Sequence, residues 1–252
     1  MHLRHLVLSI LLAGLVVSTA GATVRTDLTA AAAKGDVAFI LVTDQGATGV
    51  AEARNLARAT MKQVKGSTLI ELVRSDPANA DLVAEFRLAG APVPLIIVAA
   101  RNGVLAGGLV AAQATPEKLL AIVPSPKKAD VLQALQSGKA IFITASRKGM
   151  AAKSGAMASC AAACGQLKDQ GVTVEIDLDD PLEAQFLSQL KVDRATAEPV
   201  TLVINAQGQV TQTYTGATEV ASLVSAATAR AGGCAPGACG SGAASSCAPP
   251  KK

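Results

Sequence analysis

Tryptophan is missing from the 252-residue sequence, tyrosine occurs once, and four phenylalanines complete its aromatic content. Without exposed aromatic platforms, binding of nucleic acid by base stacking has no foundation here. Histidine is nearly absent too. His2 and His5 are the two in the chain, and both fall in a stretch that reads as an export signal. Arg4 supplies its positive end, Leu6 to Val17 is apolar apart from Ser9, Ala13 and Gly14, and Ala20-Gly21-Ala22 offers a small-x-small cleavage site. The apolar run is short for a bilayer span of roughly 20 residues, and no cysteine follows it to carry a lipid. We therefore expect residues 1–22 to be a signal peptide and the mature chain to be periplasmic or secreted, with no membrane attachment after cleavage.

The mature chain then holds no histidine at all. That removes Ser-His-Asp triads, imidazole acid–base catalysis and His-ligated zinc. The formal net charge of +4 drops by one with Arg4, too mild a surplus to argue for a phosphate backbone. No nucleic-acid partner is expected. A Gly-rich phosphate loop is also missing, because Gly46 and Gly149 stand alone and no Lys-Ser/Thr ending follows them.

What the chain does have is apolar residues, half of the total, much of it alanine and valine, so the core should be finely packed from small side chains. About 230 residues remain after the signal, enough for one large domain or two of roughly 100. Five cysteines in an exported chain sit in a disulfide-permissive compartment. The odd number leaves at least one thiol free, paired between chains or bound to something.

An internal repeat organises the sequence. A short helix from Thr26 to Gly35 and the strand Val37–Thr43 recur roughly 100 residues further on. Asp27 corresponds to Asp130, Gly35 to Gly138, Phe39 to Phe142 and Gly46 to Gly149. Gly66 precedes the strand starting at Thr68 as Gly171 precedes the one starting at Val172. Asp76-Pro77 and Asp180-Pro181 follow, with Pro suited to a first helical position. Phe86 and Phe186 lie on the apolar faces of the next helices. Pro94 and Pro199 then lead apolar strands closed by Asn102-Gly103 and Gln207-Gly208, and each copy ends in another strand and a helix.

Strands alternating with helices imply parallel pairing, and the closing Gly hairpin adds an antiparallel portion. A mixed central sheet with helices on both faces resembles the thioredoxin fold, over residues 26–124 and again over 126–230. The α/β fold class, two tandem thioredoxin-like domains, follows from this resemblance, with domain 1 spanning residues 23–125 and domain 2 residues 126–230. Pro94 and Pro199 match the family's cis-Pro before its third core strand; on their own they also read as residues opening an edge strand. At the turn where the family carries Cys-Gly-Pro-Cys, this chain has Gln45-Gly46-Ala47-Thr48 and Lys148-Gly149-Met150-Ala151. Only the Gly persists. The architecture looks more like the non-catalytic tandem domains of protein disulfide isomerases or calsequestrin-type proteins. The resemblance implies a surface for extended backbones at Gly46 with Pro94 and at Gly149 with Pro199, and hence a protein or peptide partner.

The sulfur lies elsewhere. The stretch Lys139–Cys164 reads as a buried strand followed by an Ala-rich helix, on which Met157, Cys160 and Cys164 fall at i, i+3 and i+7, within about 60° of one another. Met150 reads onto the same stripe. This is either the core face of a helix, a thiol pair with a redox role, or a soft-ligand set suited to Cu(I). After Arg230 the chain becomes Gly/Ala-rich, with Cys234, Cys239 and Cys247 in Cys-x4-Cys and Cys-x7-Cys spacings unlike zinc knuckles. That tail, residues 231–252, reads as flexible, and Cys234 could return to Cys160 or Cys164. Asp177, Asp179 and Asp180 form an acidic cluster that helix capping explains as well as a hard cation does.

Three functions stay open. The leading one is an exported, non-catalytic binding protein connected with thiol or metal homeostasis, needing no cofactor. The second is a thiol-disulfide oxidoreductase using Cys160 and Cys164 or the tail cysteines. The third is a soft-metal carrier with ligands drawn from Met157, Cys160, Cys164, Cys234, Cys239 and Cys247.

Overall fold

The computed structural model describes residues 23–230; the expectations for the signal peptide and for Cys234, Cys239 and Cys247 concern residues outside that range. The first half runs α1 (Val24–Lys34), β1 (Val37–Thr43), α2 (Val50–Met61), β2 (Ser67–Val73), α3 (Ala80–Glu85), β3 (Leu95–Ala99), β4 (Leu105–Val110) and α4 (Pro116–Ile122). The second half repeats the order as α5 (Pro126–Gln136), β5 (Ala140–Ser146), α6 (Lys153–Gln166), β6 (Gly171–Asp177), α7 (Ala184–Gln189), β7 (Val200–Ile204), β8 (Val210–Thr215) and α8 (Val220–Thr228). The two sheets have strand orders β2-β1-β3-β4 and β6-β5-β7-β8. In each, the first pair is parallel and the other two pairs are antiparallel. That order, with helices on both faces, is the thioredoxin-like arrangement, present twice. The ladder of each hairpin slips at the same place, after Val98 and after Val203.

Local signals set the helix ends. Thr23, Thr115 and Ser125 cap α1, α4 and α5 by accepting the amides of Thr26, Lys118 and Lys128, which gives otherwise orphaned N–H groups a partner. Gly35 ends α1 in the left-handed conformation that glycine adopts without steric cost.

Alternate residues of the central strands feed the two faces. Ala38, Ile40 and Val42 of β1 pack with Leu82 and Leu88 on the α1/α3 face. Val37, Phe39 and Leu41 pack with Ala53, Ala57 and Leu119 on the α2/α4 face. In the second half, Ile141, Ile143 and Ala145 face α5 and α7, while Ala140 and Phe142 face α6 and α8. Phe39 and Phe142 are fully buried at equivalent places.

The observed register corrects one equivalence. Val37 pairs with Ser67 and Ala140 with Gly171, so Gly171 corresponds to Ser67 and not to Gly66. Gly66 is a left-handed turn residue at φ 66°, whereas Gly171 already belongs to the strand. Neither Pro94 nor Pro199 opens an edge strand, because β3 and β7 lie inside their sheets.

The halves meet through α5. Ala129 and Leu132 pack on Ala100 and Val104 of the first hairpin. Asn102 Nδ2 donates to the Ala129 carbonyl at 3.0 Å and Gln136 Nε2 to the Leu105 carbonyl at 2.9 Å. No helix among the described residues is long and apolar enough to cross a membrane.

Candidate functional site

The turns after β1 and β5 hold Gly46 and Gly149 with φ 73° and 88°. Their shared glycine follows from backbone conformation, which a side chain would oppose, and needs no shared chemistry. The two turns are anchored by oppositely signed residues. Asp44 pairs with Arg74, whose Nε donates to Oδ1 at 3.1 Å, and the same guanidinium donates to the carbonyls of Leu88 and Ala91. This ties the turn to the loop ahead of Pro94. In the second half Arg147 takes the place of Asp44 and lies 3.4 Å from Asp179.

A cleft of about 550 Å³ opens in the first half between the start of α2 and the Pro94 loop. Thr48, Gly49 and Leu56 form one wall, and Val93, Pro94 and Ala112 the other. Gly49 caps α2 with no side-chain hydrogen bond, so the first-turn amides are left for other acceptors. The Val93–Pro94 peptide is cis. The Pro94 carbonyl is taken by the Ala111 amide at 2.8 Å, but the Val93 backbone makes no hydrogen bond among the described residues. Gly46 is exposed and lies outside the residues that line the cleft, and Pro94 is half-buried in the wall. Val93, Gly49 and Ala112 escaped the sequence reading, although the Gly46-to-Gly49 doublet and the Val-Pro step pointed to them.

The second half departs from this pattern. Glu198–Pro199 is trans, contrary to the expectation from the resemblance, and Pro199 is buried. The preceding loops differ as well. Leu88 and Val192 make the same helix-closing bond, to Val83 and Leu187, yet the path from Val192 to Pro199 is one residue longer than that from Leu88 to Pro94. Its own side chains shape it: Thr196 Oγ1 donates to the Glu198 carbonyl at 3.0 Å and accepts the Glu198 amide at 3.4 Å. The backbone positions that stay open at Val93 are therefore filled at Glu198.

Cys160 and Cys164 lie on α6 and form no disulfide among the described residues. Cys160 is 1% exposed and sits over Thr144 and Thr201, which oppose each other on β5 and β7. Its Sγ lies 3.4 Å from Thr144 Oγ1. Burial pushes the thiol pKa up, against the smaller opposing effect of the Thr144 and Thr201 hydroxyls. A thiol held protonated in this way is a poor nucleophile. The equivalent trio in the first half is Ala57 over Leu41 and Ile96, so a polar cluster replaces an apolar one. In the reduced protein, native-state alkylation is expected to label half-buried Cys164 and to spare Cys160. Equal labelling rates would contradict the burial of Cys160. Cys160→Ala is expected to lower stability by about 1–2 kcal/mol in urea unfolding, since two buried hydroxyls lose their partner.

Of the six soft-ligand candidates, Met157, Cys160 and Cys164 lie among the described residues, all on α6. No three His, Cys, Asp or Glu side chains converge among the described residues. Met157 is half-buried on α6. Met150 lies ahead of the helix, accepts the Arg147 amide at 3.4 Å and packs against the opposite face of the sheet, off the stripe on which its spacing placed it. The acidic cluster resolves into local capping: Asp180 accepts the Leu182 amide and Asp177 the Asp179 amide.

No family model matches the sequence, and no curated protein does. Solved structures that align with it include the first two thioredoxin domains of Saccharomyces cerevisiae Eps1p, with 12% identity, 80% of this chain and 95% of that one covered, and a TM-score of 0.30. The NTD_N/C domain of alkylhydroperoxide reductase AhpF from Enterococcus faecalis aligns at 15% identity over 81% of this chain and 97% of that one, TM-score 0.25. Human ERp44 in its zinc-bound form aligns at 9% identity over 80% of this chain and 55% of that one, TM-score 0.34. At such scores the assignment of two thioredoxin-like units rests on the strand order and connections of the chain itself.

Proposed function

We propose that the protein is an exported, non-catalytic binding protein whose first thioredoxin-like unit takes up an extended segment of a protein or peptide partner in the cleft between Gly49 and Val93. The observation that carries this reading is the free Val93 backbone beside an apolar wall, with no thiol in the turn facing it. A strand laid along Val93 would gain main-chain hydrogen bonds, while the wall of Leu56, Pro94 and Ala112 would accept apolar side chains. The five cysteines are what supports a setting in thiol or metal homeostasis. The chemistry at the turn is recognition, because neither Gln45 nor Thr48 can replace a thiolate.

The test is a scan of an immobilised peptide library with the full chain, followed by titration of the best binders. Ala112 is exposed on the cleft wall, so Ala112→Arg should fill the cleft without unfolding the domain. We expect at least a roughly tenfold loss of affinity, about 1.4 kcal/mol, with Ala217→Arg on the second half as the control. Unchanged binding by Ala112→Arg, or loss confined to Ala217→Arg, would remove the cleft from consideration.

A further inference from the structure

We propose that two copies of the chain associate edge to edge through β8, paired antiparallel about a two-fold axis passing by Tyr214. The two sheets present β2, β4, β6 and β8 as their edges. An edge strand carries unpaired backbone groups that can template another strand, unless charge or cover blunts it. On β2, Glu71 holds Arg54 at 2.5 Å, and on β6, Glu175 holds Lys153 at 2.5 Å. Charged pairs therefore lie along both of these edges. The strand β4 contains Gly107 and Gly108, which weaken it as a template. Its start is covered from the second half, where Gln136 Nε2 takes the Leu105 carbonyl at 2.9 Å.

None of these devices protects β8. Its sequence, Val-Thr-Gln-Thr-Tyr-Thr, has no charge, proline or glycine and is rich in β-branched residues that favour strands. Val210 opposes Ile204 as Leu105 opposes Ala99. It is nevertheless 53% exposed, because among the described residues no helix covers it as α5 covers the first hairpin.

The ladder fixes which groups point outward. Hydrogen-bonded and non-bonded pairs alternate along an antiparallel pair of strands. The Gly216 amide donates to the Pro199 carbonyl at 2.8 Å, and Tyr214 and Gln212 oppose Thr201 and Val203. Tyr214 and Gln212 therefore turn their main-chain groups to β7, and Thr213 and Thr215 turn theirs to the outside. With Tyr214 on the axis, Thr213 of one copy faces Thr215 of the second copy. Every outward amide and carbonyl of these two residues then finds a partner, so the edge is its own complement. The two Tyr214 side chains meet at a non-bonded pair, where side chains approach closest. They lie on the α8 side, since Tyr214 Oη donates to the Ser222 carbonyl at 3.3 Å. A groove of about 460 Å³ runs there between β8 and α8, lined by Gln212, Ala221, Ser225 and Ala229 among others, with no charged residue to repel its mate. One strand edge and one groove sit at the low end of interface sizes, so a dissociation constant on the order of tens of micromolar is expected. The inference is independent of the cleft reading, which concerns the other half of the chain.

The test is sedimentation velocity of the full chain from about 1 to about 500 µM, a range that brackets this affinity. Reductant is present, so links between thiols cannot account for a dimer. We expect passage from monomer to dimer across the range. Thr213 and Thr215 are both exposed, so the double variant Thr213→Lys, Thr215→Lys should fold. It sets like charges directly opposite each other and should weaken association at least about tenfold. Mixing it with the Thr213→Glu, Thr215→Glu variant should restore the dimer as a heterodimer. In the unaltered chain, the amides of Thr213 and Thr215 should gain exchange protection with concentration, while those of Gln212 and Tyr214 stay protected throughout. A monomer at every concentration, a dimer indifferent to the lysines, or exchange at Thr213 and Thr215 that ignores concentration would each overturn the proposal. Should the lysine variant fail to fold, the exchange of the unaltered chain decides the matter alone.

Discussion

Glu183→Ala is expected to lower the stability of the second half by about 3 kcal/mol, the largest effect anticipated for a polar side chain in this protein. Glu183 lies just before α7 and is 1% exposed. Its carboxyl reaches the start of α5, where Oε2 accepts from Ser125 Oγ at 2.6 Å and Oε1 from the Lys127 amide at 2.9 Å. Ser125 in turn caps α5 by accepting the Lys128 amide. Truncation leaves the half-buried Lys127 amide and Ser125 hydroxyl without partners, and each hydrogen bond to a charged group contributes about 1.5–3 kcal/mol. For a unit of this size, a loss of 3 kcal/mol lowers the melting temperature by about 12–24 °C. Glu183→Gln keeps an acceptor for Lys127 and is expected to lose about a third as much. A double-mutant cycle with Ser125→Ala should show coupling above about 0.5 kcal/mol, as for residues in one network. Calorimetry or urea unfolding checks these values. A loss below about 0.5 kcal/mol for Glu183→Ala would mean that the carboxyl does not hold the start of α5.

The same residue shows where sequence reasoning stops. A glutamate following Pro181-Leu182 reads as a solvated helix residue, since acidic side chains are seldom fully buried. Its burial depends on α5 crossing over it, a tertiary fact with no local signal. The fold, by contrast, was legible because its determinants are local and doubled. Phe39 and Phe142 fall at matching places, the left-handed Gly46 and Gly149 recur, and each Pro-led strand closes in a Gly turn. Phe86 and Phe186 do not match, because the helix-closing bonds align Phe86 with Leu190 and Leu82 with Phe186. The one-residue slip at Gly171 arose because a strand-opening glycine and a turn glycine are the same letter, and only the ladder tells them apart.

The candidate site was half legible. Sequence marked Pro94 and Pro199 as equivalents, and Gly46 and Gly149 as the matching turn residues. It could not show that Thr196 occupies the Glu198 backbone, because such bonds depend on the path of a loop. Nor could it separate Cys160 from Cys164. Four residues apart on an Ala-rich helix, both fit an apolar stripe, and only the pairing of Thr144 with Thr201 underneath assigns the interior place to Cys160. The polar trio of the second half replaces an apolar trio of the first. The two copies therefore share a backbone plan without sharing what they enclose.

That difference leads to the second large effect, a paired comparison of Phe39→Ala and Phe142→Ala. Both rings are fully buried on the central strand of their sheet. Removing either costs about 3–5 kcal/mol, from lost transfer energy plus the cavity left behind. The two losses should nevertheless differ. Around Phe39 the neighbours include Leu41, Ile96 and Leu119, with Leu56, Met61 and Ile122 close by, all able to change rotamer and lean into the void. Around Phe142 many neighbours are Ala140, Ala163, Ala226 and Ala227, which have no rotamers to offer. The second cavity collapses less, so Phe142→Ala is expected near the upper limit and Phe39→Ala near the lower. Urea unfolding of both variants, followed by amide exchange to assign each loss to its half, measures the order directly. An equal or reversed order would show that helix displacement, and not side-chain rotation, fills these cavities. Because α5 packs on the Ala100–Leu105 turn, exchange should also rise there in Phe142→Ala, as the second half loosens the helix that covers it.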